Sequence, residues 1–581
     1  MNPLIDPRLG DIEDDASSTK KRSLAAIAGN MLIEISLLKL AVAWLLLLVV
    51  PGLFLGLFPI AAAVWFQTVA DRVLSPLDGV VPAILLVLVL AIGWYGGRAF
   101  LRLAEHSFWA LASIVVQPGY DACREGLRHL IERILPTGTA PATRARLRAG
   151  AAAVAGILVS AFALLVLRAV WPSTHVFGAL EEIGSIEQLA GVALANSAAA
   201  LCIYLAAGAL IWAIADTTMS QPRDLESFAT APANARRWRV AHLSDIHIVG
   251  ERYGFRIESG RAGPRGNDRL HRLFQMLEGI DQAAPLDHIL ITGDITDAGL
   301  LSEWAEFFSV MEAHPGLADR VLIIPGNHDL NIVDKTNPAR MDLPTSPNPR
   351  LRQLRMLSGM EWVQGTRVRT VDHKGKVLDA SLAVMLASHR GAIKRFADVA
   401  RPRISRRLTT LWNETFPMIL PPDGEDGLGL VLFNSNADTH FSFTNALGLV
   451  SAEQVRAFEQ VAKDYPQACW LMLLHHHAIE YPHATQVLSE RIGTALINGN
   501  WFLRRLRPFA GRAVLMHGHR HVDWIGECEG LLIISAPSPV MEATDDMPTA
   551  FYIHTVATNG DGRLRLLEPE RIELAGESRP Q

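Results

Sequence analysis

Residues 288–294 read His-Ile-Leu-Ile-Thr-Gly-Asp: a short apolar run closed by Thr292, Gly293 and Asp294. Such a run suits a buried strand. Gly293 lets the backbone turn sharply at its end, which leaves Asp294 at the strand exit. The pattern recurs outward from this point. Residues 238–243 precede Asp245-Ile246-His247, and residues 321–324 precede Gly326-Asn327-His328-Asp329. Residues 469–474 precede His475-His476-His477, and residues 513–516 precede Gly518-His519-Arg520-His521. Two further apolar runs lie at 430–434 and 531–535. Between some of these runs the pattern is helical. Asn267 or Asp268 can cap a helix running to Ile280, and Ser451-Ala452-Glu453-Gln454 has the form of a capping box. Alternation of this kind predicts an α/β domain.

The residues at the strand exits are metal ligands by type. Asp245 and His247 stand two apart just past a strand, so they point to one side if the extended form continues; His519 and His521 repeat the spacing. Nitrogen and oxygen donors without thiolate favour Mn, Fe or Zn, and the many imidazoles argue against Mg or Ca. Asp245 and Asp294 are the carboxylates set against two divalent cations, so the centre keeps positive charge and attracts an anionic phosphoester. Two ions about 3.5–4 Å apart activate a water between them and stabilise the displaced oxygen. The four cysteines (Cys123, Cys202, Cys469, Cys528) are scattered and form neither a disulfide framework nor a CxxC knuckle, which fits a reducing compartment.

These five motifs, in this order, resemble the calcineurin-like metallophosphoesterase superfamily over residues 239–554. The resemblance implies two stacked mixed β-sheets flanked by helices, and a phosphoester hydrolase with two divalent transition-metal ions. It implies that Asp245, His247 and His521 hold one metal, that Asp294 bridges, and that Asn327, His475 and His519 complete the second. It also implies that His328 protonates the leaving oxygen or steadies the transition state, with Asp329 orienting His328. The fourth motif departs from the family, which usually has two histidines followed by prolines; here it is His475-His476-His477-Ala478. Register from the strand favours His475 as the ligand, with His476 as the alternative and His477 as a neighbour or structural residue. His517 reads as a strand-end residue, and His242, His440 and His483 as surface or satisfied interior groups.

The first half of the chain is different. Hydrophobic residues make up 50% of the sequence, and the excess lies before about Asp216. Four stretches, residues 40–66, 80–100, 151–171 and 189–214, are long enough to cross a bilayer, which takes about 20 apolar residues. Pro51 and Pro59 predict a tilted or kinked first span. Basic residues flank the expected spans on one side: Lys20, Lys21 and Arg22; Arg102, Arg124, Arg128, Arg133, Arg144, Arg146 and Arg148; and Arg223, Arg236, Arg237 and Arg239. Glu181, Glu182 and Glu187 lie on the other. Positive charge stays cytoplasmic. The expected order is a cytoplasmic segment (1–36), a four-span multi-pass domain in the inner or plasma membrane (37–216), a polar linker (217–236), a cytosolic metallophosphoesterase domain (237–571) and a tail (572–581). Residues 108–135 mix apolar residues with arginines and read either as an inner-leaflet helix or as an ordinary connection.

Substrate is less constrained. The net charge of −5 does not indicate a bulk-basic nucleic-acid binder, so no nucleic-acid polymer is expected as a partner. The expected partners are the lipid bilayer and a small or lipid phosphoester. The segment 447–454 is similar to the linker and helix before the histidine motif in the phosphodiesterase branch of the family, which tilts the expectation toward a phosphodiester, of cyclic-nucleotide or glycerophospholipid type. A phosphomonoesterase or lipid pyrophosphatase, and a membrane sensor or transporter with a regulatory phosphoesterase domain, are the alternatives. The roughly 100 residues after Asp329 are long for a plain connection. With Arg390, Lys394, Arg395, Arg401, Arg403, Arg406 and Arg407 they read as a basic cap over acidic substrate or the anionic leaflet, or as a solvated helix face. The loop 251–266, rich in Gly and Arg, follows the first ligand pair and is a candidate lining of the cleft.

Overall fold

A computed structural model describes residues 4–5, 50–74, 115–176, 183–250, 267–333, 342–371, 378–482, 496–540 and 548–574, apart from a few positions inside these ranges and isolated positions at 41–49. The chain divides into two units, one built mainly from residues 35–219 and one mainly from residue 220 onward.

The first unit is helical. Its described helices are α1 (Val50–Leu74), α2 (Gln117–Ile134), α3 (Pro141–Val170) and α4 (Ile186–Thr218). Two stretches, Thr143–Ser173 and Ile186–Thr218, are helical, long and apolar enough to cross a membrane, and they correspond to the expected third and fourth spans. The first expected span falls on α1, whose apolar part Val50–Val64 is shorter and which continues through Pro59. The second expected span, 80–100, lies outside the described residues. Among the described residues, then, two long apolar helices stand where four spans were expected. Small residues fill the contacts between helices: Ala151, Ala155 and Ala163 of α3 and Ala193, Ala206 and Ala209 of α4 are buried. Large apolar side chains turn outward, including Ile157, Phe162 and Leu165 of α3 and Ile203, Ile211 and Ile214 of α4.

Helix α2 reverses the usual arrangement. It exposes Leu130 and Ile134 and turns its charges inward. Arg124 lies 2.7 Å from Asp216 of α4 and 2.8 Å from Glu125, and Arg128 lies 2.7 Å from Glu125. The Tyr120 hydroxyl donates to the same Asp216 carboxylate at 2.8 Å. These arginines are therefore paired within the unit.

The second unit holds two mixed β-sheets flanked by helices. The strands of the smaller sheet are β2 (Arg236–Leu243), β3 (His288–Ile291), β4 (Val321–Ile323), β13 (Thr549–Thr558), β14 (Arg565–Leu566) and β15 (Glu570–Leu574), in the order β14-β13-β2-β3-β4 with β15 on β13. The larger sheet has β1 (Arg223–Asp224), β5 (Arg369–Val371), β6 (Leu378–Ser381), β7 (Met418–Leu420), β8 (Leu428–Leu432), β9 (Cys469–Leu473), β10 (Ala513–His517), β11 (Trp524–Cys528) and β12 (Leu531–Ser535), in the order β1-β11-β12-β10-β9-β8-β7-β5-β6. Strands β2, β3 and β4 run parallel, as do β8, β9 and β10. One apolar cluster takes side chains from both sheets, among them Leu243, Ile291, Leu471 and Val514.

Helices α5 (Asp268–Ala283), α6 (Leu301–Ala313), α7 (Asn327–Leu330), α8 (Asn348–Gln364), α9 (Arg390–Val399), α10 (Pro402–Thr415), α11 (Ala452–Asp464) and α12 (Gly499–Leu506) connect the strands. The capping box read at Ser451 is present in part: its side chain accepts the Gln454 amide at the start of α11. Two expectations change here. The stretch expected as a linker carries β1, which pairs with β11, and Asp224 accepts the Trp524 indole N–H at 2.8 Å. The stretch expected as a cap contributes strands β5, β6 and β7 to the sheet and the buried helix α8. Of its basic residues, Arg390 pairs with Glu361 at 2.8 Å, and Lys394, Arg395 and Arg407 are exposed. The side chains of Arg401, Arg403 and Arg406 and the loop 251–266 lie outside the described residues.

Candidate metal centre

Parallel strands deliver the candidate ligands at their carboxyl ends, where open α/β sheets commonly build sites. Asp245 and His247 follow β2, Asp294 follows β3, Asn327 follows β4, His475 follows β9, and His519 and His521 follow β10. The extended form does not continue through these exits. Asp245, His247, Asp294, His519 and His521 all have positive φ, between 47° and 76°. A left-handed backbone at a residue with a side chain costs of order 1–3 kcal/mol and persists where the surroundings enforce it. Here the enforcement is visible: the amides of Asp245 and His247 donate to the carbonyls of Gly293 and Asp294 at 3.1 and 2.9 Å. Gly293 has φ 95°, and a Cβ there would run into the His475 ring.

Among the described residues, three groups of side chains bring ligand atoms within 4.8 Å of one another: Asp245, His247 and His521; Asp294, His475 and His519; and His247, Asp297 and His328. Within the first, His521 Nε2 lies 3.3 Å from Asp245 Oδ1. Within the second, His475 Nε2 lies 3.2 Å from Asp294 Oδ2 and 3.1 Å from both His519 Nδ1 and Asn327 Oδ1. Asp294 stands between the groups, since the same Oδ2 is 3.7 Å from His247 Nε2. Its other oxygen accepts the His328 amide at 2.8 Å.

The donor chemistry fits cations. His475 Nδ1–H donates to the Thr292 carbonyl at 2.8 Å, so Nε2 is the ring atom that faces a carboxylate, an amide oxygen and a second imidazole. Lone pairs that converge in this way repel unless a proton or a metal ion sits among them. Burial raises a carboxyl and lowers an imidazole, yet His521 holds the buried Asp245 below its ordinary value. His475 and His328 hold Asp294 well below its own, again against burial. Burial would lower His475, but the Asp294 carboxylate raises it to about 9. Burial, reinforced by neighbouring imidazoles, pushes His519 and His476 well below the ordinary range.

The remaining candidates separate. His476 lies outside the three groups; its Nδ1 meets the Ser435 hydroxyl at 2.9 Å, and that hydroxyl also accepts the amides of His475 and His476. His477 is buried beside Tyr481 and His519. His517 is buried at the end of β10, and burial pushes it down to about 3. His242 is buried with Nε2 3.1 Å from Thr292 Oγ1, while His440 and His483 lie outside the described residues.

Asp329 is not where its expected task would put it. Its carboxylate accepts from the Thr296 amide and hydroxyl at 2.8 and 2.7 Å and from the Gly326 amide at 2.9 Å. It therefore ties two ligand turns together rather than gripping the His328 ring. That ring instead donates from Nδ1 to the Asp297 carbonyl at 2.7 Å. Asp297, absent from the sequence reading, also places Oδ1 3.2 Å from His247 Nδ1. Its signal was its position three residues past Asp294, in the same turn.

Residues 239–523 match the family model for calcineurin-like phosphoesterases. Solved structures similar to the chain include a dimetal phosphatase from Danio rerio (12% identity, TM-score 0.33, 58% of this chain and 99% of that one). Another is the calcineurin-like phosphoesterase YfkN from Bacillus subtilis (11% identity, TM-score 0.28, 59% and 91%). No curated protein matches the chain. Residues 239–523 are thus a calcineurin-like metallophosphoesterase domain, a hydrolase whose clustered Asp and His side chains correspond to the dimetal site typical of that family.

Proposed function

We propose that the protein is a membrane-anchored phosphodiesterase that works on the cytoplasmic side of the bilayer. The observation that carries the catalytic reading is Asp294 Oδ2, set between His247 at 3.7 Å and His475 at 3.2 Å, the position a bridging carboxylate needs. Asp245, His247 and His521 would hold one ion, and Asn327, His475 and His519 the other, with Asp294 shared. Two divalent ions such as Mn, Fe or Zn would supply the charge that lowers the pKa of water and offsets the phosphoryl oxygens. Water attack at phosphorus breaks a P–O bond, and the departing oxygen needs a proton. His328 is the donor: its Nδ1–H donates to the Asp297 carbonyl at 2.7 Å, which fixes the ring beside the cluster, and an imidazole can give a proton to the leaving oxygen.

The phosphodiester preference is supported by the segment 447–454. It packs on the histidine motif, since a Cβ at Gly448 would meet His476 and the Leu449 amide donates to the Ser435 carbonyl. Membrane anchoring is supported by the outward-facing aliphatic side chains of α3 and α4 over small buried ones, the packing that bilayer helices use.

The full chain in detergent micelles, stripped by chelator and reloaded with Mn, Fe or Zn, should cleave bis-p-nitrophenyl phosphate faster than p-nitrophenyl phosphate. Asp294→Asn should lower the rate by about 100-fold or more, in line with losing a group that stabilises transition-state charge. A monoester preference would move the reading to a phosphomonoesterase; wild-type turnover in Asp294→Asn would sink the bridging assignment.

A further inference from the structure

Metal-ligating histidines usually donate the ring N–H that faces away from the metal to a carboxylate, carbonyl or water, which fixes ring orientation. His475 follows that habit through Thr292. His519 does not. Its Nδ1 faces His475 at 3.1 Å, and its buried Nε2 makes no hydrogen bond among the described residues. Something else must set the ring's rotation.

The neighbours supply it. The His477 ring lies nearly parallel to the His519 ring, 5.9 Å between centroids and 18° between planes. His477 is itself 1% exposed and is held in turn by its own neighbours. Its Nε2 lies 3.6 Å from Glu480 Oε1, and the other oxygen of Glu480 receives Arg520 Nη1 at 3.1 Å. Arg520 sits between the two histidines of the last motif, with its side chain 6% exposed. Its guanidinium lies 5.5 Å from the centroid of the Tyr481 ring, and the Tyr481 hydroxyl is anchored 2.7 Å from Ser535 Oγ on β12.

We infer that His477, fixed by the Glu480–Arg520 pair, is a positioning residue whose ring face takes the place of the missing hydrogen-bond partner and orients His519 toward its ion. The inference rests on reading His519 as a metal ligand. It accounts for the third histidine of the fourth motif and for the arginine between the two histidines of the fifth. A stacked aromatic pair contributes by shape, so a different aromatic ring should substitute for His477.

Mn(II) titration of the chelator-stripped full chain in detergent micelles tests this, read as stoichiometry and affinity by electron paramagnetic resonance. His477→Ala should weaken one of the two ions by about 10–100-fold, the loss typical of removing a ligand's outer support. His477→Phe should keep that affinity within a few-fold, because the ring face remains. Arg520→Ala should weaken the same ion, by less than His477→Ala. Wild-type binding of both ions by His477→Ala would overturn the inference, as would an equal loss in His477→Ala and His477→Phe. His519→Ala separates the two levels. If it loses one ion while His477→Ala does not, the positioning role alone fails. If it binds both ions normally, the ligand reading fails and takes the inference with it.

Discussion

His475 in the cation-free protein is a proton carrier. Asp294 holds it at about 9 against burial, above the ordinary imidazole value, so at neutral pH it is charged. A metal ion needs the same Nε2 lone pair and must displace that proton. Metal affinity should therefore rise with pH up to about 9, and loading at pH 7.5 should release close to one proton from this site. Calorimetric titration in two buffers of different ionisation heat measures the release; identical heats in both would contradict it. For the metal-free fold the sign is opposite: the raised value adds stability that is complete below about pH 6.5 and is lost as pH climbs through 9. At this scale the sequence was legible where side-chain type alone carries the signal. The Asp and His pairs stand out because carboxylate and imidazole at a strand exit have few other reasons to be there. The left-handed backbone at Asp245 and His247 was not legible, since it is held by hydrogen bonds to the neighbouring turn rather than by the residue itself. Asp297 escaped for a related reason: its part depends on which way a turn folds back.

Helix α8 shows the same limit for an element. It grips both ligand turns through buried arginines: Arg355 donates to the Gly299 carbonyl and Arg352 to the Leu330 carbonyl, each at 2.8 Å. Gln364, at its end, both donates to and accepts from the backbone of Ile323, at 3.1 and 2.7 Å, and so satisfies the outer side of β4. Arg355→Met should leave the Gly299 carbonyl unsatisfied and cost about 1–3 kcal/mol, read as a lowered urea midpoint of the metal-free protein; an unchanged midpoint would mean the contact is idle. The helix could not be recognised as core from its sequence because Arg352, Gln353, Arg355, Glu361 and Gln364 are buried along with its apolar residues. It has no polar face to contrast with an apolar one. By contrast α11, with a capping serine and a clean apolar stripe, was readable from composition and spacing.

For the molecule as a whole, the positive-inside pattern makes orientation testable. A cysteine placed at Ser185, the exposed residue that caps α4, should react with a membrane-impermeant maleimide in intact cells, in a chain whose native cysteines are replaced. A cysteine at Arg146, near the start of α3, should react only after the membrane is opened. The reverse pattern would place the hydrolase domain outside the cytosol. Strand β2, which leads into Asp245, is flanked by β3 on one side and on the other by β13, paired from Arg236↔Thr558 to His242↔Tyr552. The matched family segment ends at residue 523, before β13 begins. A fragment trimmed to that segment would strip the neighbour from its first ligand-bearing strand and bare a row of unpaired amides and carbonyls, an invitation to self-association. The practical boundary of the catalytic body thus lies near residue 574, where β15 ends.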